Sequence, residues 1–229
     1  GKDKKYFRNR FNVDRVIYKV IKDHNIAYKH FLKGNLDTFG LVLPNFWHEK
    51  AKGERYDKGF IHKTTFFNDV RQPSYGLFLN QDDNLLKDQN IRFALAHALN
   101  FDKVITKVLR NDYIRLNSFH SGYGKYSNKS IIAREFSLQK ANKYLDDSGW
   151  TQRNGKGIRL KEGLPLSLTI SYGKKHHTDR LVVLKEEAKK AGIELNLQLF
   201  DPTTSYKNVM EKKHQIAWMG WSAGFRPAF

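Results

Sequence analysis

The 229-residue chain contains no cysteine. That excludes disulfides, cysteine-ligated zinc and thiol catalysis together, and it suits either the cytosol or a bacterial periplasm. Proline is scarce at five residues, and neither an internal repeat nor a low-complexity linker divides the chain. No run approaches the roughly 20 apolar residues of a membrane-spanning helix. The start, Gly1-Lys2-Asp3, carries neither a start methionine nor an apolar leader and reads as cut or processed, so a removed signal peptide would leave no trace. Signatures of chemistry are missing too. Ser121-Gly122 lacks the G-x-S-x-G elbow, and no carboxylate pair has a recognisable setting. His176, His177 and Asp179 are metal-ligating types, but neighbouring side chains rarely converge on one ion, and no second cluster or HExxH matches them. A solvated loop is the plainer reading. The chain is therefore expected to be no enzyme and to hold no metal or cofactor.

What is present is positive charge: 41 Lys+Arg against 23 Asp+Glu, a formal +18. Such a balance invites phosphate backbones, anionic membranes or acidic ligands. The cations are dispersed, usually with Asp or Glu nearby, and neither an arginine-rich arm nor an RNP-like aromatic platform appears. A charge-driven nucleic-acid-binding module stays as the alternative function; it requires affinity that falls steeply with salt. Apolar residues at 40% and aromatics at 14% are ample for packed cores.

Strand-like and helix-like segments alternate. Residues 13–21 (VDRVIYKVI) alternate like a strand with one apolar face. Asp23 can cap a helix carrying Ile26, Ala27, His30 and Phe31 that ends at Gly34. Residues 37–43 (DTFGLVL), 59–67 and 74–80 read as further strands. In residues 88–100, Ile91, Ala94, Leu95, Ala98 and Leu99 form one helical stripe. A second helix begins at Phe101, with Val104, Ile105, Val108 and Leu109 inward. Residues 110–130 form a long loop rich in Asn, Ser, Gly and Tyr, the kind that is functional or disordered. A capped helix follows from Ser137, and "NGKG" signals a hairpin turn. The last third repeats strand (166–172), helix (178–191), strand (193–200), helix (203–213), strand (215–220). That order predicts parallel strands, with the final one, apolar on both faces, in the middle and Trp221 at its carboxyl end, the edge where open α/β sheets bind ligands.

These signals, in this order, resemble the family 5 extracellular solute-binding proteins. The resemblance is carried by "VDRVIYKVIKDHNIAYKHFLKGNLDTFGL", "FLNQDDNLLKDQNIRFALAHALNFDKVITKVL", "KANKYLDDSGW" and "KKAGIELNLQLFD", and it covers essentially the whole chain. "RLNSFHSGYG" and the lone Trp47 make it most similar to the Yej-type, oligopeptide or microcin-binding branch. The resemblance implies an α/β fold of the periplasmic-binding-protein type (type II), with mixed sheets flanked by helices. It implies residues 1–73 as a middle segment of lobe one and 74–229 as a nearly whole lobe two, the chain being a fragment of a longer receptor. It further implies a monomeric periplasmic protein that captures oligopeptides or peptide-like solutes by inter-lobe closure and delivers them to an ABC permease, without nucleic acid.

The same resemblance singles out candidate ligand-binding residues. Trp221 and Ser222 fall where peptide-binding relatives place a Trp-x-x-Asp whose carboxylate holds the peptide's α-ammonium. Gly224 stands at the Asp position, which points to an N-blocked, modified or larger ligand, since an unpaired buried ammonium is costly. Core packing is the other reading of Trp221. Asn80, at the end of a strand, can bond an extended peptide's backbone or serve as an ordinary turn residue. Asn117, Ser118, His120 and Tyr123 line either the cleft or a surface loop. Trp47 is expected to face the cleft from lobe one, or else to pack in a core beside Phe46.

Overall fold

The computed structural model describes residues 13–66 and 74–222. The chain separates into two compact units, Gly1–Phe60 and Ile61–Phe229.

In the first unit, α1 (His24–Leu32) starts where Asp23 Oδ1 accepts from the Asn25 and Ile26 amides, at 2.8 and 3.0 Å. It ends at Gly34, whose φ of +80° is the left-handed conformation a helix exit needs. A π-helical turn (Phe46–Lys50) and a short helix α2 (Glu54–Asp57) follow. The core is aromatic: Tyr28 packs edge-on against Phe46, with ring centroids 5.2 Å apart, and Phe39 lies against Tyr28, Phe31 and Phe46. Burial, then the Tyr56 hydroxyl, push the Tyr28 phenol well above its ordinary pKa.

Three expected strands are corrected here. Residues 13–21 and 37–43 form none, and residues 59–66 are a turn followed by irregular chain; Phe67 lies outside the described residues. Val16, Ile17, Tyr18 and Val20 are exposed. Alternation supplies a face but not a ladder, and no described segment pairs with these stretches.

The second unit is built on a four-stranded sheet of order β1-β7-β5-β6. β5 (Ser167–Tyr172) runs parallel to both β6 (Glu194–Leu199) and β7 (Ile216–Trp221), as the strand-helix-strand rhythm predicts. β1 (Ser74–Leu79) lies antiparallel on the other side of β7, pairing Ser74 with Trp221 and Leu79 with Ile216. β7 is thus an interior strand of a mixed sheet, with Ile216, Ala217 and Trp218 all buried.

Helices α3 (Gln89–Ala98), α5 (Leu138–Asp147) and α6 (Thr178–Lys190) join this sheet in one core containing Ile91, Leu95, Leu145, Leu168, Ile170, Leu184, Leu195 and Ile216. The stripe expected on α3 is buried as read. A short α4 (Phe101–Lys103) passes into a π-helical turn (Val104–Val108). Glu187 of α6, 2% exposed, joins Lys103 and Lys190 at 2.6 and 2.7 Å.

The "NGKG" turn closes a hairpin of β2 (Gln152–Arg153) and β3 (Arg159–Lys161), to which β4 (Leu164–Pro165) adds a third strand. Arg159, 4% exposed, anchors this subsheet. It donates to the Ala191 and Trp150 carbonyls, Asn142 and the Asp146 carboxylate. Helix α7 (Pro202–Met210) completes the unit.

Candidate functional site

The parallel strand β5 ends at Tyr172, beside Trp218, and β7 runs three residues further to Trp221. Beyond them the chain continues as Gly173-Lys174 on one side and Met219–Ser222 on the other, and α7 begins alongside. Gly173 permits the close approach. A Cβ there would lie 3.0 Å from the Pro202 Cα and 3.1 Å from the Ser205 Cβ. The N-terminus of α7 is already satisfied, because Asp201 Oδ1 accepts from the Thr203 and Thr204 amides.

Between these elements lies a cavity of about 330 Å³, lined among others by Tyr75, Lys174, His177, Ser205, Trp218 and Trp221. At roughly 30 Å³ per water, that is the space of about ten water molecules. Trp218, 6% exposed, stacks with both Tyr75 and Phe101, with centroids at 6.2 and 6.3 Å, and Arg115 covers Phe101 at 4.3 Å. Trp221 is 48% exposed at the rim, and Ser222 lines the cavity beside it.

Two polar groups at this site lack partners among the described residues. Both His177 ring nitrogens and the Trp218 Nε1 are buried without a hydrogen bond. Burial first, then the positive charges of Arg180, His176 and Lys174, push the His177 imidazole down to about 3, so it is neutral across the physiological range. Of the former metal candidates, His177 faces the cavity, whereas Asp179 is exposed in the first turn of α6.

The long loop reaches the site through Phe119, which packs on Trp221 at 5.7 Å, as well as through Arg115. Asn117, Ser118, His120 and Tyr123 shape the loop behind it. Asn117 Oδ1 accepts from the Ala133 amide, and the Ser118 and Tyr123 amides donate to the Ser121 and Ser127 hydroxyls. The Ser127 hydroxyl in turn donates to the His120 carbonyl, while the His120 ring meets Phe119 and Tyr123 edge-on.

Asn80 is elsewhere. It follows the far end of β1, six residue steps from the Ser74–Trp221 pair, or about 20 Å of strand. Its Nδ2 donates to the Lys212 and His214 carbonyls and its Oδ1 accepts from the Asp82 amide. Trp47 belongs to the first unit, half-buried on the π-helical turn. Gly224 lies outside the described residues.

Sequence reasoning missed Tyr75, His177, Trp218 and Phe119. For the first three the missing fact was the β1–β7 pairing, which lays Tyr75 against both other rings. Phe119 gave no signal beyond being aromatic in a long loop.

Residues 2–229 match the model for bacterial extracellular solute-binding proteins, family 5 Middle. The chain belongs to that family. Among family members, it is 28% identical to the oligopeptide-binding protein AppA of Bacillus subtilis, over 97% of this chain and 40% of AppA. It is 19% identical to the uncharacterized protein YejA of Escherichia coli, over 94% and 41% respectively. The chain thus spans about two fifths of the length of these relatives. AppA solved in complex with a nonapeptide superposes with a TM-score of 0.68 at 25% identity, covering 92% of this chain and 41% of that one. NikA of Brucella suis, solved with Fe(III)-EDTA, shares the fold at a TM-score of 0.70 and 24% identity, covering 91% and 42%. The family 5 fold, mixed α/β with helices flanking the sheets, is as the resemblance implied.

Proposed function

We propose that this chain supplies ligand-binding surface to the substrate-binding component of an ABC importer, one that captures oligopeptides or peptide-like solutes in the periplasm and hands them to a permease. The supporting observation is the cavity at the carboxyl edge of β5 and β7, with Trp221 and Ser222 on its lining, in a chain of the solute-binding family. Such an edge is where open α/β sheets take ligands, and the mixture of aromatic wall and few polar groups is that of a pocket rather than a reaction centre. A peptide residue enters the cavity, its ring or aliphatic part stacking on Trp221 and Phe119, while the Ser222 and Ser205 hydroxyls offer hydrogen bonds. Recognition of this type orients the ligand and performs no chemistry on it.

The test is titration of a mixed-sequence peptide library into the chain, followed by tryptophan fluorescence and mass spectrometry of the retained peptides. Retention of peptides, weakened at least tenfold by Trp221→Ala at unchanged thermal midpoint, supports the reading. Retention of no peptide, or retention indifferent to Trp221→Ala, overturns it.

A further inference from the structure

A second cavity lies in the first unit and shares no lining residue with the one described above. It measures about 430 Å³, and charge of one sign surrounds it: Lys29, Lys33, Lys52 and Arg55 all stand on its lining. Glu54 is the one lining carboxylate, and it is already paired at 2.5 Å with Lys58, which does not line the cavity. Lys29, Lys33 and Lys52 form no ion pair among the described residues.

The cations come from two separate pieces of chain. Lys29 and Lys33 stand four apart at the end of α1, where they share a face and repel each other. Positive charge at a helix C-terminus is favourable, which accounts for that pair. It accounts for neither Lys52 nor Arg55, which belong to the chain entering α2. The two walls are fastened together. Arg55 Nη1 donates to the Leu32 carbonyl, which holds the guanidinium in place and leaves it further N–H groups. The Tyr56 hydroxyl lies 2.9 Å from that of Tyr28, a buried residue of the aromatic core that also donates to the Lys50 carbonyl. Four cations gathered round one space oppose folding by their own repulsion, and an anion among them reverses the sign.

We infer that this cavity binds a multiply charged phosphate group, held by Arg55 and Lys52 from one wall and Lys29 and Lys33 from the other. A phosphate presents oxygens in several directions, as donors arriving from two walls require. Arginine supplies a planar fork and the lysines compact charges, both suited to phosphate. At roughly 30 Å³ per water the space equals about fourteen waters, more than a single phosphate fills. The fitting class is therefore a diphosphate, or a phosphate carrying a further group that lies on Leu32 and Tyr56.

Two sources share this chemistry, a soluble diphosphate and the head group of an anionic membrane lipid. Inorganic pyrophosphate and inorganic phosphate are titrated into the chain by calorimetry. In parallel the chain is sedimented with vesicles of phosphatidylcholine alone or of an equimolar mixture with phosphatidylglycerol. Each measurement is repeated on Lys33→Met/Lys52→Met, which takes one exposed cation from each wall. It is repeated again on Lys19→Met/Lys22→Met, which removes the same charge from exposed positions off the cavity. Unchanged thermal midpoints separate lost binding from lost folding. Pyrophosphate binding that is about tenfold tighter than phosphate, and about tenfold weaker in the cavity variant alone, assigns a soluble ligand. Sedimentation with the mixed vesicles only, lost in the cavity variant and kept in the other, assigns the lipid. Equal losses in the two variants mean diffuse charge and overturn the site. Equally weak binding of phosphate and pyrophosphate without a vesicle preference overturns it, as does binding in no arm.

Discussion

Tyr75 and Gly220 face each other across the antiparallel β1–β7 pair, and the ring lies so close that a Cβ on Gly220 would stand 2.9 Å from two of its carbons. A glycine is needed there for space. Gly220→Ala is expected to cost about 1–3 kcal/mol of stability, the usual range for overpacking. In a Tyr75→Ala background the same change should cost close to nothing. A double-mutant cycle by urea denaturation reads the coupling, and additive losses would show that the ring is not held by this contact.

His177 makes stability fall in acid. Its folded-state pKa of about 3 lies below the ordinary histidine value of about 6.5 that the unfolded chain retains. As pH drops through that window the unfolded state takes up a proton that the folded state refuses. Stability from this group is fully present above the upper value and declines by about 1.4 kcal/mol per pH unit below it. His214, also lowered by burial, acts in the same direction. His177→Phe should therefore lose less stability than the parent between pH 7 and pH 4.5. Equal losses in chemical denaturation at the two pH values would contradict the assignment.

Glu187 is the buried anion that ties α6 to the start of the π-helical turn through Lys103. Burial raises its pKa, but the hydrogen bonds from Lys103 and Lys190 outweigh that and leave it lowered. Glu187→Gln keeps the shape and removes the charge; the expected loss is roughly 1–3 kcal/mol. The two lysines, 44% and 51% exposed, can turn to water, so replacing either alone should cost less. Thermal denaturation of the three variants checks the ordering.

Arg159 joins four partners from a nearly sealed position. A lysine cannot reproduce its planar fork, so Arg159→Lys should destabilise by roughly 3 kcal/mol. Amide exchange should rise first in β2 and β3 rather than in the main sheet. Uniform loosening of the whole unit would argue against a local anchor.

Much of the second unit was legible because its signals are local. The α3 stripe at Ile91, Ala94, Leu95 and Ala98, the Ser137 cap of α5, and the β5-α6-β6-α7-β7 rhythm each lie within one or two elements. Trp221 was placed at the carboxyl end of β7 for the same reason: strand order alone dictates that position. What stayed hidden was non-local. The pairing of β1 with β7 spans some 140 residues of chain, and only that pairing puts Tyr75 over His177 and Trp218. Residues 13–21 misled in the opposite way. Val13 to Val20 have the composition and alternation of a strand, but a strand is a property of two segments and the pattern reports on one.

The register of the main sheet has one more result. Its first strand residue, Ser74, and its last, Trp221, are directly paired. The first and last residues of this sheet are therefore neighbours, and the strand ends they mark border the cavity. Whatever fills that space lies beside the paired ends of β1 and β7, against Tyr75 from one strand and Trp221 from the other.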